Sequence, residues 1–192
     1  MRVTLPFFNR PTLEVLEDLI GMVLVRKSSG SSATGIIVEA EAYRGEDDPA
    51  SFAFRGRTKR SERLYGPPGR AFVYLTYGQH HMLNIITERE DFPAAVLIRA
   101  VEPREGIAMM VKRRKTDNLL QLCSGPAKLC QAFDIDLSLN GIQLYSPKSV
   151  LLIEERERPK NELAWRPRIG IREGKDRLWR AYVKDSPFVS YK

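Results

Sequence analysis

Gly35-Ile-Ile-Val-Glu-Ala-Glu-Ala-Tyr43 decides how this chain is read. Its β-branched and aromatic content favours a strand over a helix. Residues two apart on a strand share a face. Glu39, Glu41 and Tyr43 therefore line one face, and Ile36, Val38, Ala40 and Ala42 the other. Two carboxylates beside an aromatic ring in an apolar strand are costly to bury unless they are paired. Taken alone, the segment reads as an amphipathic edge strand with both carboxylates in water.

Its neighbours change that reading. Ala71–Tyr77 and Met82–Thr87 form a hairpin pair about a turn at Gly78-Gln79, and Ala94–Val101 is a further apolar strand. Asn84 interrupts Met-Leu-Asn-Ile-Ile, and Arg99 interrupts Val-Leu-Ile-Arg-Ala-Val. A buried Arg needs a carboxylate, and a buried Glu needs a cation. Two readings stand: a satisfied structural ion pair, or a shared polar pocket. In the second, Arg99 holds a carboxylate that accepts a proton from water.

Upstream, Leu13, Leu16, Leu19 and Ile20 give helical spacing over Pro11–Gly21, with a Pro in the first turn and a Gly at the end. Met22–Arg26 reads as a short strand, followed by a polar turn at Ser28–Ser32. Downstream, helices are expected at Arg104–Arg113 and Ala127–Phe133, and strands at Ile169–Ile171 and Ala181–Val183. Strands in runs with helices gathered elsewhere predict an α+β domain with a largely antiparallel sheet.

The chain has 192 residues, a net charge of +7 and 43% hydrophobic residues, the profile of one globular domain over 1–192. No apolar run reaches the ~18 residues of a membrane span. The N-terminus lacks a signal peptide's apolar core. Two cysteines, Cys123 and Cys130, make no disulfide framework, so a cytoplasmic setting is expected. With two histidines besides, no metal site is expected; His80 and His81 read as turn residues. The basic balance points to a polyanionic partner, nucleic acid first.

Arg44–Gly69 is long for a connector, and such loops usually have a task. Arg55, Arg57, Lys59, Arg60 and Arg63 crowd its second half, opposed there by Glu62. Lys112-Arg-Arg-Lys115 is a second basic run. Each is either a solvated face or a set of phosphate contacts. Tyr77, at the hairpin tip, is either core packing or a wedge for a base stack. Tyr43, Phe52, Phe54 and Tyr74 offer faces on which a flat ligand could stack.

Val38-Glu-Ala-Glu-Ala-Tyr43, Tyr74-Leu-Thr-Tyr-Gly78 with Asn84, Leu97-Ile-Arg-Ala-Val-Glu-Pro103 and Leu122-Cys-Ser-Gly-Pro-Ala-Lys-Leu-Cys-Gln131 resemble the alkyladenine (3-methyladenine) DNA glycosylases of the mammalian type. Arg168-Ile-Gly-Ile171 and Ser186-Pro-Phe-Val-Ser190 extend the resemblance, in order, over nearly the whole chain. It implies a curved, largely antiparallel sheet with a protruding β-hairpin and surrounding helices. It implies a monofunctional enzyme that flips an alkylated purine out of double-stranded DNA and hydrolyses the N-glycosidic bond, with no metal or cofactor, as a monomer. By position, Glu41 matches the general base, and Arg99 and the Ile169 carbonyl match groups that hold the water. Tyr43 and Tyr74 match aromatics that sandwich the base, and Asn84 matches the asparagine that clashes with a guanine 2-amino group. Tyr77 matches the residue that fills the gap left by the flipped nucleotide. Phe52 departs: the family pattern has a histidine in this Ser-Phe-Ala context. A damaged-DNA sensor that does not cut, and a general RNA- or nucleotide-binding module, are the competing readings.

Overall fold

The computed structural model describes residues 3–28, 30–155 and 162–191. Its helices are α1 (Leu5–Phe8), α2 (Thr12–Leu19), α3 (Ile107–Arg114) and α4 (Pro126–Phe133). Its strands are β1 (Val23–Ser28), β2 (Ser31–Arg44), β3 (Ala71–Thr76), β4 (His80–Ile86), β5 (Ala94–Glu105), β6 (Leu151–Glu154), β7 (Leu163–Arg166) and β8 (Arg180–Val183). They form one sheet in the order β3-β4-β5-β2-β1-β6, with β8 pairing β2 and β7 pairing β8. Every pairing of these strands is antiparallel. The result is a single α+β domain with a curled sheet.

The quoted segment is no edge strand. The first half of β2 pairs with β1 on one side, and its second half pairs with β8 there instead. The other side is occupied by β5. Glu39 thus lies between Ala100 and Tyr182, and Glu41 between Leu97 and Arg180. Both carboxylates are fully buried, their face covered by Arg99, Arg180, Ser190 and Ile169.

A bulge corrects the expected alternation. Ile37 pairs with Val101 and Glu39 with Ala100, so Val38 is an extra residue on β2; Ala40 then pairs with Ile98, leaving Arg99 extra on β5. Such an irregularity re-aims side chains. Ile37, Ala40 and Ala42 all join the main core, whereas Ile36 and Val38 pack with Ala100 in a small separate cluster. Glu39, Glu41 and Tyr43 keep their shared face, and Arg99 is brought to it.

The helices cover the core side. Phe8, Leu16, Leu19, Met110, Leu129 and Phe133 are buried against Ile37, Ile85, Val96 and Ile98. No side chain of α2's own caps its start; instead Glu88 accepts from the Thr12 amide (3.2 Å) and hydroxyl (2.6 Å). A carboxylate there satisfies donors the helix cannot satisfy itself. On another side, Leu64 and Tyr65 from the long loop pack with Phe72, Ile86 and Ala95, with Phe52 and Tyr74 at the margin. Arg44–Gly69 is therefore folded back onto the sheet.

Several boundaries differ from the expectation. β5 runs to Glu105, so the helix expected from Arg104 begins at Ile107. The break is Gly106, with φ 74°, where an added Cβ would lie 2.5 Å from the Ser32 carbonyl oxygen. His80 and His81 open β4 rather than occupy the turn. Ile169–Ile171 is irregular, not a strand, because its Ile169 amide bonds a side chain, Glu41. β6 and β7 were not expected; at four residues each they carry too short a pattern to stand out. Ser29, within the expected Ser28–Ser32 turn, lies outside the described residues. No helix among the described residues is long and apolar enough to cross a membrane.

Candidate active site

Glu39 and Glu41 share a face but have different company. Glu39 accepts from Arg99 Nε (2.9 Å), Arg180 Nη1 (3.1 Å), the Ser190 amide (2.6 Å) and the Ser190 hydroxyl (2.9 Å). Four donors equal in number what a carboxylate accepts, with three on Oε1 and the Ser190 amide on Oε2. Glu39 is thus the knot that ties β5, β8 and the C-terminal segment to β2.

Glu41 has a place left. Its Oε1 accepts from the Ile169 amide at 2.7 Å. Its Oε2 accepts from the Tyr43 hydroxyl at 2.9 Å and lies 3.2 Å from Arg99 Nη1. Each carboxylate oxygen can take about two donors, so Oε1 has room for one more. Burial, and then the Glu41 carboxylate beside it, push the Tyr43 hydroxyl well above its ordinary range, so it remains a donor. Burial opposes the charge on Arg99, but Glu41 and Glu39 outweigh it and raise its affinity for its proton.

In front of this pair lies a cavity of about 240 Å³. Tyr43, Phe52, Tyr74, Asn84, Arg99 and Ile169 all line it, and Tyr77 stands at its rim. Glu41 is not part of the lining; it is fully buried behind Tyr43, Arg99 and Ile169. Phe52 meets Tyr74 edge-on with ring centroids 4.8 Å apart, and the Arg60 guanidinium sits 4.1 Å from the Phe52 centroid. Asn84 donates to the Phe72 carbonyl at 3.3 Å, which orients its amide.

Tyr77 is 90% exposed. It and Gly78 both have positive φ, 50° and 70°, and the Gln79 amide bonds the Thr76 carbonyl. That is the turn geometry that suits a twisted hairpin, but its first central position usually holds Asn, Asp or Gly. A bulky residue there is strained, and such strain clusters at functional positions.

The basic loop residues are not equivalent. Arg57 is paired with Glu62 (2.8 Å) and Asp91 (3.0 Å) and lies over Tyr65. Arg55, Lys59 and Arg63 are exposed, and Arg60 is the one set against the cavity wall. In the second run, Arg113 and Arg114 bond the Ala132 and Leu122 carbonyls, which joins α3 to α4 and its approach. Cys123 and Cys130 are core residues whose thiols burial pushes up to about 12. No group of three metal-ligating side chains occurs among the described residues.

Two clusters escape sequence reading. The saturation of Glu39 joins residues 60 to 151 positions apart. Asp48 and Arg168 form a buried, two-pronged ion pair across 120 positions. Nothing local signals either, although Glu39 does share a strand face with Glu41.

Comparison with known proteins identifies a family. The model of the methylpurine-DNA glycosylase family matches residues 6–187. A protein of Prosthecochloris aestuarii is 46% identical over 191 residues, covering 98% of this chain and 91% of its own length. Relatives in Chlorobium phaeobacteroides (44%; 96% and 94% covered) and Clostridium perfringens (43%; both chains covered in full) are similar. All three carry the provisional name 3-methyladenine DNA glycosylase. A family match over nearly the whole length, joined to an aromatic cavity backed by a Glu–Arg pair, places this chain in the methylpurine-DNA glycosylase family.

Proposed function

We propose that the cavity receives one alkylated purine flipped from duplex DNA, and that a water activated by Glu41 completes hydrolysis of its N-glycosidic bond. What carries the reading is the Glu41–Arg99 pair, 3.2 Å apart, directly behind an aromatic-lined cavity. The bond breaks with its electron pair going to the purine nitrogen, which leaves an oxocarbenium-like sugar. Glu41, as a carboxylate, stabilises that cation and takes the proton of the water that adds at the anomeric carbon. The product is a free base and an abasic site. Arg99 and Ile169 hold Glu41 in place, and the Ile169 carbonyl is assigned a share in holding the water.

Tyr43 and Tyr74 stack on the base, and Asn84 crowds a guanine 2-amino group, which counts against unmodified guanine and is outweighed in 7-methylguanine by the ready departure of its cationic base. Flipping costs a few kcal/mol, least at a damaged pair, which itself contributes selectivity. Tyr77 occupies the space the nucleotide leaves. Stacking of this kind is worth about 1–3 kcal/mol, so Tyr77→Ala is expected to weaken lesion-duplex binding roughly 5- to 150-fold. Filter binding or fluorescence anisotropy reads this, and thermal stability should hardly change, because the Tyr77 side chain is exposed and packs against little. Arg55, Lys59, Arg60 and Arg63, with Arg57, are assigned to the backbone flanking the lesion. One protomer acts per lesion, in the cytoplasm.

Phe52 sets the preference. Alkylation at a ring nitrogen makes a purine cationic and a good leaving group, whereas hypoxanthine needs protonation or hydrogen bonds that Phe52 cannot give. The protein therefore favours 3-methyladenine and 7-methylguanine over neutral lesions. Phe52→His is expected to raise excision of hypoxanthine relative to 7-methylguanine about 2- to 10-fold, the worth of one hydrogen bond. Single-turnover rates on the two duplexes test both statements. Equal wild-type rates would contradict the preference, and binding without excision on either duplex would favour a damage sensor.

A further inference from the structure

Arg168 is fully buried and directs both ends of its guanidinium at Asp48, Nη1 at 2.6 Å to Oδ2 and Nη2 at 2.7 Å to Oδ1. Nη1 also donates to the Ala42 carbonyl at 3.0 Å. The same guanidinium lies 4.7 Å from the centroid of Tyr43 and 5.2 Å from that of Trp179. Among the described residues its buried Nε meets no hydrogen-bond partner. Buried donors are rarely left so, and here the two-pronged geometry prevails over that loss.

The ion pair adjoins three stretches that line the cavity, at Tyr43, at Ala50-Ser51-Phe52 and at Ile169. Ala42 sits between Glu41 and Tyr43 on β2. Asp48 begins the turn that leads to Phe52: its Oδ1 accepts from the Ala50 amide at 3.2 Å and its carbonyl from the Ser51 amide at 2.9 Å. Arg168 immediately precedes Ile169, whose amide donates to Glu41 at 2.7 Å. The segment carrying Ile169 is irregular, so no strand ladder fixes its position. Gly174 closes over the pair: a Cβ there would lie 2.9 Å from Arg168 Nη2 and 3.5 Å from Asp48 Oδ1.

We propose that Asp48 and Arg168 are positioning residues for the hydrolysis: their ion pair sets the Ile169 amide against Glu41 and the Tyr43 ring against the flipped base. Neither residue touches the substrate. The proposal rests on the assignment of Glu41 as the base. A two-pronged pair suits the task because its planar fork fixes direction as well as distance. A lysine keeps the charge and loses that direction.

The test uses the full chain as wild type, Asp48→Asn, Arg168→Lys and Gly174→Ala. Single-turnover excision of 7-methylguanine is measured against protein concentration, well below each variant's unfolding midpoint. This separates the limiting rate from the half-saturating concentration. Glu41→Gln is run alongside: loss of excision there upholds the assignment of the base independently, and excision at the wild-type rate there means that this assignment fails rather than the clamp. The limiting rate is expected to fall at least 30-fold in Asp48→Asn and Arg168→Lys, with binding of an undamaged duplex, read separately by fluorescence anisotropy, unchanged. Gly174→Ala, which crowds the fork without removing a charge, is expected to lose about 5-fold, and it decides the matter if the other two do not fold. Variants that melt earlier yet keep the wild-type limiting rate would overturn the proposal and leave the pair a purely structural tie.

Discussion

Glu41→Gln is expected to lower single-turnover excision of 7-methylguanine about 10²- to 10⁴-fold, the usual worth of a positioned general base. Glutamine has nearly the shape of glutamate and keeps an oxygen for the Ile169 amide, which now bonds Oε1 at 2.7 Å. It cannot take a proton from water, and it offers no charge to an oxocarbenium-like sugar. Glu41 lies behind the cavity lining, so the stacking surfaces of Tyr43, Phe52 and Tyr74 remain. Lesion-selective binding should therefore survive, and binding and cleavage come apart in one variant. Undiminished excision by Glu41→Gln would remove Glu41 from its role.

Glu39→Gln should fail in the opposite way. Glu39 takes four donors, two from the guanidinium groups of Arg99 and Arg180, and is fully buried. Removing the charge leaves two buried cations short of a partner. Breaking a buried pair from one side costs about 3–5 kcal/mol, which in a chain of this size lowers the midpoint of thermal unfolding by roughly 6–20 °C. Calorimetry or circular dichroism measures it. The C-terminal segment should loosen first, since both Ser190 bonds end on this carboxylate, and faster proteolysis there would report it. A midpoint within about 2 °C of wild type would mean that the four-donor knot contributes little. Two glutamates on one strand face thus divide the work: one ties the scaffold, the other has room for a water.

That division marks the limit of what the chain shows before it is folded. The period-two placement of Glu39, Glu41 and Tyr43, and the polar interruptions at Asn84 and Arg99, made a buried polar pocket legible, because an apolar strand tolerates such residues only when they find partners. The identity of the partners was hidden. Arg180 and Ser190 reach Glu39 across 141 and 151 positions, and Arg168 reaches Asp48 across 120. Such pairings follow from topology, from β8 joining the second half of β2, and no local period encodes them. The paired bulge that leaves Val38 and Arg99 extra was equally invisible, since it shifts the face of Ile36 and Val38 without any Gly or Pro to announce it. The length of the loop is legible as unusual for a connector, but the sorting of its arginines depends on the acids around it. Arg57 turned out to be claimed by Asp91, 34 positions on. The roles of the cavity residues are those that the family resemblance implies, and the fold brings these residues together.

The most direct test of the account is a single end-labelled duplex carrying one 7-methylguanine, incubated with excess protein and then divided, half treated with alkali. The account predicts a strand break at the lesion in the alkali-treated half and an intact strand in the other, the mark of an abasic site left by hydrolysis. An intact strand in both halves, despite saturating lesion-selective binding, or a break that needs no alkali, would contradict it.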